Sequence, residues 1–266
     1  MKNIFVVSLI SDQERRQHIN ALFAKNKLNF RYFDAINKLQ VPDILKKYEI
    51  IANLDKVSVG EVACYLSHYC LWQQVVMQKL PYLIVFEDDI YFSKNAKEIL
   101  DTLDWLPNDF DVIKLETMYD NVVIDNGVNV LPPHRLCHIK SPHMGTAGYI
   151  ISHKGAAKLL SIVQEQGIDC PVDHLVFSQL VAGNEQRVYQ LSPAICIQDK
   201  IYNEHEVKFD SVLEDERIPL QTIVKPKPST KFNRELMRLQ KQLKECPLKI
   251  FLALQGYRTK KINYKE

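Results

Sequence analysis

Tyr82-Leu83-Ile84-Val85-Phe86-Glu87-Asp88-Asp89 sets five apolar residues directly before three acids. An unbroken apolar run of this length reads as a central strand covered on both faces, and Pro81 separates it from the helical pattern before it. The strand therefore delivers three carboxylates to its carboxyl end, where open α/β sheets bind ligands.

The flanking sequence continues the same logic. Upstream, Ser58-Val59-Gly60-Glu61 is a capping box that opens a helix to about Gln78, with Val62, Leu66, Leu71 and Val75 on its apolar face. Ile4 to Leu9 is a first strand, and Ser11-Asp12-Gln13-Glu14 caps a helix carrying Ile19, Leu22 and Phe23. Phe30 to Phe33 is a second strand ending at Asp34. Downstream, strands are expected at Phe110 to Leu115, Ala147 to Ile151, Val188 to Leu191 and Ala194 to Ile197. Helices are expected from Lys154 to Gln166 and from Val172 to Val181. This alternation predicts an α/β protein built on one sheet with helices on both faces.

With 266 residues the chain is one large domain or a domain with a small appendage. Lys225-Pro226-Lys227-Pro228-Ser229-Thr230 reads as an extended linker, which divides a catalytic domain, 1–224, from a basic amphipathic tail, 225–266. Phe232, Leu236, Leu239 and Leu243 recur in that tail at helical spacing. The tail has 12 basic and 3 acidic residues, a net +9, against 22 basic and 29 acidic residues, a net −7, in the body. Such a segment suits peripheral contact with an anionic membrane, whereas packing on the body or pairing a homodimer explains its apolar stripe as well. Nucleic acid is not expected as a partner, because the body is acidic and basic and aromatic residues are not interleaved.

Only 8 glycines are present, and neither GxGxxG nor GxxxxGK[ST] occurs, which argues against a dinucleotide or P-loop enzyme. The 6 cysteines form no CxxC pair and suit a reducing, cytoplasmic setting. The apolar start is too short for a signal peptide, and no apolar run of about 18 residues is present to span a bilayer.

Grouped carboxylates at a strand end can hold a hard divalent cation that neutralises a diphosphate, although an acidic turn needs no such role. Asp173 follows Pro171 at the start of a helix and suits either a general base or a cap. Glu116, leaving the strand Asp111-Val112-Ile113-Lys114-Leu115, is the alternative base. Ser8 and Arg16 sit where nucleotide contacts would fall, or are a turn residue and a solvated arginine. Glu61 is read as a capping acid or a donor contact. Ser67 and His68 lie further along the same helix, His68 as a phosphate or sugar contact or a core histidine. Gly145 and Thr146 can line a sugar pocket or form a plain turn, and Tyr149 can stack on a sugar or fill the sheet.

These blocks together carry a resemblance. Phe5-Val6-Val7-Ser8-Leu9 with Arg15-Arg16, Phe33-Asp34-Ala35, Gly60-Glu61-Val62-Ala63-Cys64-Tyr65-Leu66-Ser67-His68, Val85-Phe86-Glu87-Asp88-Asp89, Gly145-Thr146-Ala147-Gly148-Tyr149 and Pro171-Val172-Asp173 resemble glycosyltransferase family 25 in order and spacing. The likeness covers about residues 3 to 200, and the order is far more specific than the acidic triplet alone. It implies a GT-A-like fold, a single Rossmann-type mixed sheet flanked by helices. It also implies a UDP-sugar donor, UDP-galactose or UDP-glucose, a lipooligosaccharide acceptor, Mn²⁺ or Mg²⁺ at the acidic motif, and inverting transfer.

On that resemblance Asp89 is the expected direct metal ligand, with Glu87 beside it and Asp88 facing the donor. Gln198, Asp199 and His205 remain alternative further ligands, and Asp173 is favoured over Glu116 as base. The rival readings are a magnesium-dependent phosphohydrolase, which would cleave simple phosphoesters, and a catalytically idle saccharide-binding module, which would bind without turnover.

Overall fold

The computed structural model describes residues 3–183, 187–203, 206–209 and 252–265. In chain order its strands are β1 (Ile4–Ser8), β2 (Arg31–Asp34), β3 (Tyr82–Glu87), β4 (Ile90–Phe92), β5 (Val112–Lys114), β6 (Glu116–Thr117), β7 (Asn121–Ile124), β8 (Val128–Asn129), β9 (Arg135–His138), β10 (Gly148–Ser152), β11 (Val188–Ser192), β12 (Cys196–Gln198) and β13 (Arg258–Lys261). The longer helices are α1 (Gln13–Lys25), α2 (Val41–Tyr48), α3 (Val59–Met77), α4 (Ala96–Asp101) and α5 (His153–Gln166).

Eight strands form one mixed sheet in the order β2-β1-β3-β10-β5-β11-β9-β8. β1 pairs parallel with β2 and β3, whereas β10 runs antiparallel between β3 and β5. The carboxyl ends of β1, β3 and β5 and the amino end of β10 therefore meet along one edge. The large mixed sheet flanked by helices, GT-A-like in form, is as the resemblance implies, but it is not single, because a three-stranded and a two-stranded sheet accompany it.

The pleat explains why β3 carries apolar residues at successive positions. Leu83 and Val85 join a core formed with α3 and α5, while Ile84 and Phe86 join a second core with α1 and α4. β1 divides in the same way, with Phe5 and Val7 on the α3 side and Ile4 and Val6 on the α1 side. Both strands are thus buried on both faces.

Ser58 caps α3 as expected, its side chain accepting from Glu61 N at 3.2 Å while Glu61 Oε2 accepts from Ser58 N at 2.9 Å. The cap of α1 is Asp12 and not Ser11, because the Asp12 carboxylate accepts from Arg15 N at 3.1 Å. The helix expected from Val172 is broken into α-helical ends, Val172–His174 and Leu180–Ala182, around π-helical turns at Leu175–Gln179.

A small sheet, β4-β12-β6, crosses the site edge and brings Gln198 opposite Ile90. β13 pairs antiparallel with β7, and Thr117 Oγ1 donates to Ile262 O at 2.7 Å, so the last described residues lie on the body. The helix expected over 232–243 lies outside the described residues. Among those described, no helix is long and apolar enough to cross a membrane, and none of the five cysteines described forms a disulfide.

Candidate active site

The three acids of the β3 end point into different surroundings. Glu87 Oε1 accepts from Thr146 Oγ1 at 2.9 Å and lies 3.4 Å from His68 Nε2. Burial works to raise this carboxyl, but the His68 imidazole, the Thr146 hydroxyl and the Lys200 charge hold it below its ordinary range. Asp88 Oδ1 accepts from Arg15 Nη1 at 2.9 Å, yet burial still lifts its carboxyl. Asp89 is pushed up to about 7, first by burial and then by the Glu87 charge, with Arg15 Nη1 4.0 Å away.

Asp89 Oδ1 is buried and takes no protein hydrogen bond. The Gln198 amide spans Glu87 Oε2 at 3.4 Å and Asp89 Oδ2 at 3.5 Å. A carboxylate whose ionisation is opposed by its surroundings, with an oxygen left unpartnered, fits a hard divalent cation. Asp199 does not join this set. Its Oδ1 accepts from Tyr91 and Asn203 and its Oδ2 from Lys208 N and Phe209 N, so both oxygens fix the 206–209 segment. His205 lies outside the described residues.

Three successive residues before β10 organise three carboxylates. Gly145 N donates to Asp173 Oδ2 at 3.0 Å, Thr146 Oγ1 to Glu87 Oε1 at 2.9 Å, and Ala147 N to Glu116 Oε1 at 2.8 Å. Gly145 adopts φ +86°, and a Cβ there would stand 2.8 Å from Glu116 Oε1. Glycine is thus required both for the backbone turn and for the close approach of Glu116.

Both expected bases are therefore tied to one segment, in different environments. Asp173 retains 8% exposure, and its Oδ1 accepts from His174 N at 2.9 Å. Glu116 is fully buried, and burial raises its carboxyl against the pull of Lys114. Lys114 Nζ donates to Glu116 Oε1 at 2.8 Å, to Met144 O at 2.7 Å and to Gly145 O. Removing this ammonium would leave a buried carboxylate uncompensated, a change that costs about 3–5 kcal/mol.

The remaining expected contacts divide by depth. Ser8 is buried, and its hydroxyl donates weakly to Leu9 O at 3.4 Å. Arg16 turns to Asp34 Oδ1 at 2.6 Å and lies over the Tyr32 ring, away from the acids. Glu61 is spent in the capping box. Ser67 accepts from Ile36 N at 2.9 Å and donates to Ala63 O at 2.9 Å, fixing the chain after β2. His68 and Tyr149 are fully buried and hydrogen-bonded together at 2.8 Å, with Trp72 Nε1 donating to the same hydroxyl at 3.0 Å. Tyr149 has no face open for a sugar, and His68 reaches the site through Glu87.

Arg15 and Lys114 were not singled out by sequence reading, although the Arg15-Arg16 pair was part of the motif. A one-residue step on a helix turns a side chain by roughly 100°, so the pair alone does not say which arginine faces the acids. An isolated lysine within an apolar strand, two residues before an acid, was the available signal for Lys114.

Comparison with known proteins adds a second line of support. A family model described as "Glycosyltransferase family 25 (LPS biosynthesis protein)" matches residues 1–176. A putative glycosyltransferase of Haemophilus influenzae is 35% identical, covering 80% of this chain and 76% of that protein. Lipooligosaccharide biosynthesis protein lex-1 of the same species is 31% identical, with 84% of each chain covered. Lacto-N-neotetraose biosynthesis glycosyltransferase LgtB of Neisseria meningitidis serogroup B is 33% identical, covering 80% of this chain and 82% of that protein.

Proposed function

Because the chain belongs to glycosyltransferase family 25, we propose that it transfers a hexose, galactose first and glucose next, from a UDP-sugar to a lipooligosaccharide core saccharide with inversion. The observation that carries this reading is the Gly145–Ala147 segment, which holds Asp173, Glu87 and Glu116 in fixed relation through successive donors.

Inversion requires a base to take the acceptor hydroxyl's proton while that oxygen attacks the anomeric carbon opposite the departing UDP. Asp173 is assigned this role. Asp173 is buried but keeps the 8% exposure that Glu116 lacks, and the Gly145 and His174 amides hold its carboxylate in place. Glu116 lacks that access and serves with Lys114 to brace the segment. Asp89 and Glu87, with Gln198 beside them, would hold Mn²⁺ or Mg²⁺. When bound, that ion supplies positive charge to the diphosphate as it leaves. Arg15 keeps Asp88 turned toward α1, and of the three acids of the motif Asp89 has a buried oxygen without a hydrogen-bond partner.

Asp173→Asn keeps the size of the side chain and one of its two accepting oxygens but removes its basicity. Transfer should fall about 10²–10⁴-fold with UDP-sugar affinity unchanged, measured by product formation and by titration of the same preparation. Near-normal turnover in that variant would move the base role to Glu116 or to water.

A further inference from the structure

Behind the acidic motif, Cys64, His68 and Glu87 place one potential ligand atom each within 4.8 Å of one another. Cys64 and His68 stand four residues apart on α3, so their side chains project from one helix face, and Glu87 closes the group from the end of β3. His68 is fully buried, and its Nε2 takes no well-formed hydrogen bond although Glu87 Oε1 is 3.4 Å away. A buried ring nitrogen 3.4 Å from a carboxylate oxygen, with no well-formed hydrogen bond of its own, is open to a ligand role.

The surroundings also supply what a metal-bound histidine needs. The other ring nitrogen, Nδ1, is engaged by Tyr149 Oη at 2.8 Å, and Trp72 Nε1 donates to that oxygen at 3.0 Å, which fixes the ring plane. Thr146 Oγ1 orients Glu87 in the same way.

We propose that Cys64 Sγ, His68 Nε2 and Glu87 Oε1 form a binding site for a thiophilic divalent cation, zinc above all, which shares only Glu87 with the hard-cation site at Asp89. Thiolate and imidazole donors select zinc over Mn²⁺ or Mg²⁺, and three protein ligands leave a fourth position open. Binding converts the Cys64 thiol to a thiolate and releases its proton to solvent. Because Glu87 also faces Asp89, occupation by zinc withdraws it from the acidic motif, so zinc acts as an inhibitor. The zinc site itself does not depend on the proposed transferase reading; only the inhibition does.

The test is titration of the full chain, stripped of metal, with zinc against a chromophoric zinc chelator, and with cobalt followed by absorbance. One tight zinc site and a sulfur-to-cobalt charge-transfer band are expected. Cys64→Ser should abolish that band and weaken zinc binding about a hundredfold or more, while Mn²⁺ binding stays as in the parent. Cys64→Ala and circular dichroism of both variants separate loss of a ligand from loss of folding. If folded Cys64 variants bind zinc as the parent does, or cobalt gives no sulfur band, the site is overturned. If the zinc site behaves as expected but zinc leaves transfer untouched, the inhibitory consequence fails while the site stands.

Discussion

In the proposed metal site, Asp89 would couple metal capture to proton release. Burial and the Glu87 charge raise its carboxyl to about 7, so below that pH a cation must displace a proton to bind. Affinity for Mn²⁺ should therefore fall by up to about tenfold per pH unit from pH 7 toward pH 4. The effect on stability has a definite sign. The folded-state value lies above the unfolded one near 3.9, so the contribution is fully present below about pH 4 and is lost as pH rises through 7. Mn²⁺ should restore stability above that point. In Asp89→Asn the Mn²⁺-induced rise in Tm at pH 8 should be lost, as followed by thermal melts with ion and with chelator. An undiminished rise would remove Asp89 from the metal site. At this scale the sequence showed which residue types cluster but not their direction. Ser67 and His68 are neighbours on α3, yet one fixes the chain after β2 and the other meets Glu87.

The element that governs the site is the short connection into β10. Gly145 carries a positive φ, and its backbone touches Asp173 and Lys114, while the next two residues engage Glu87 and Glu116. Gly145→Ala would place an L side chain in the left-handed region and force Glu116 aside, at a cost of about 1–2 kcal/mol before the clash is counted. We expect a lower Tm and a loss of kcat larger than any rise in donor KM; kinetics and melts unchanged from the parent would contradict the bracing role. The long elements around this connection were legible, because β1 and β3 must be apolar on both faces and α3 announces its start with a capping box. The short strands β4, β6, β7, β8 and β9, like α2 and α4, were not singled out. Strands of two to four residues offer too little alternation to stand out, and their pairing is set by tertiary contacts. The π-helical turns after Asp173 likewise leave no periodic signature.

For the whole molecule, the uneven charge is the feature that motivates the proposed contact with an anionic membrane. The +9 segment includes β13, whose Arg258, Thr259, Lys260 and Lys261 are all exposed while the strand is held to β7. A lipid-linked acceptor would be met at an anionic surface, and this strand offers fixed charge for it. Deleting the entire tail would also remove strand pairing, so charge reversal is the cleaner test. Arg258→Glu with Lys260→Glu should weaken binding to anionic vesicles at low salt, with the difference vanishing as salt rises. Equal binding by both forms would assign the segment to packing.

The proposed donor is reached most directly by calorimetric titration of the purified chain with UDP-galactose and UDP-glucose, each with Mn²⁺ and with chelator. Metal-dependent binding, tighter for UDP-galactose, is the predicted result. Absence of binding by either nucleotide sugar under both conditions would contradict the UDP-hexose assignment and return the acidic motif to hydrolytic or purely binding chemistry.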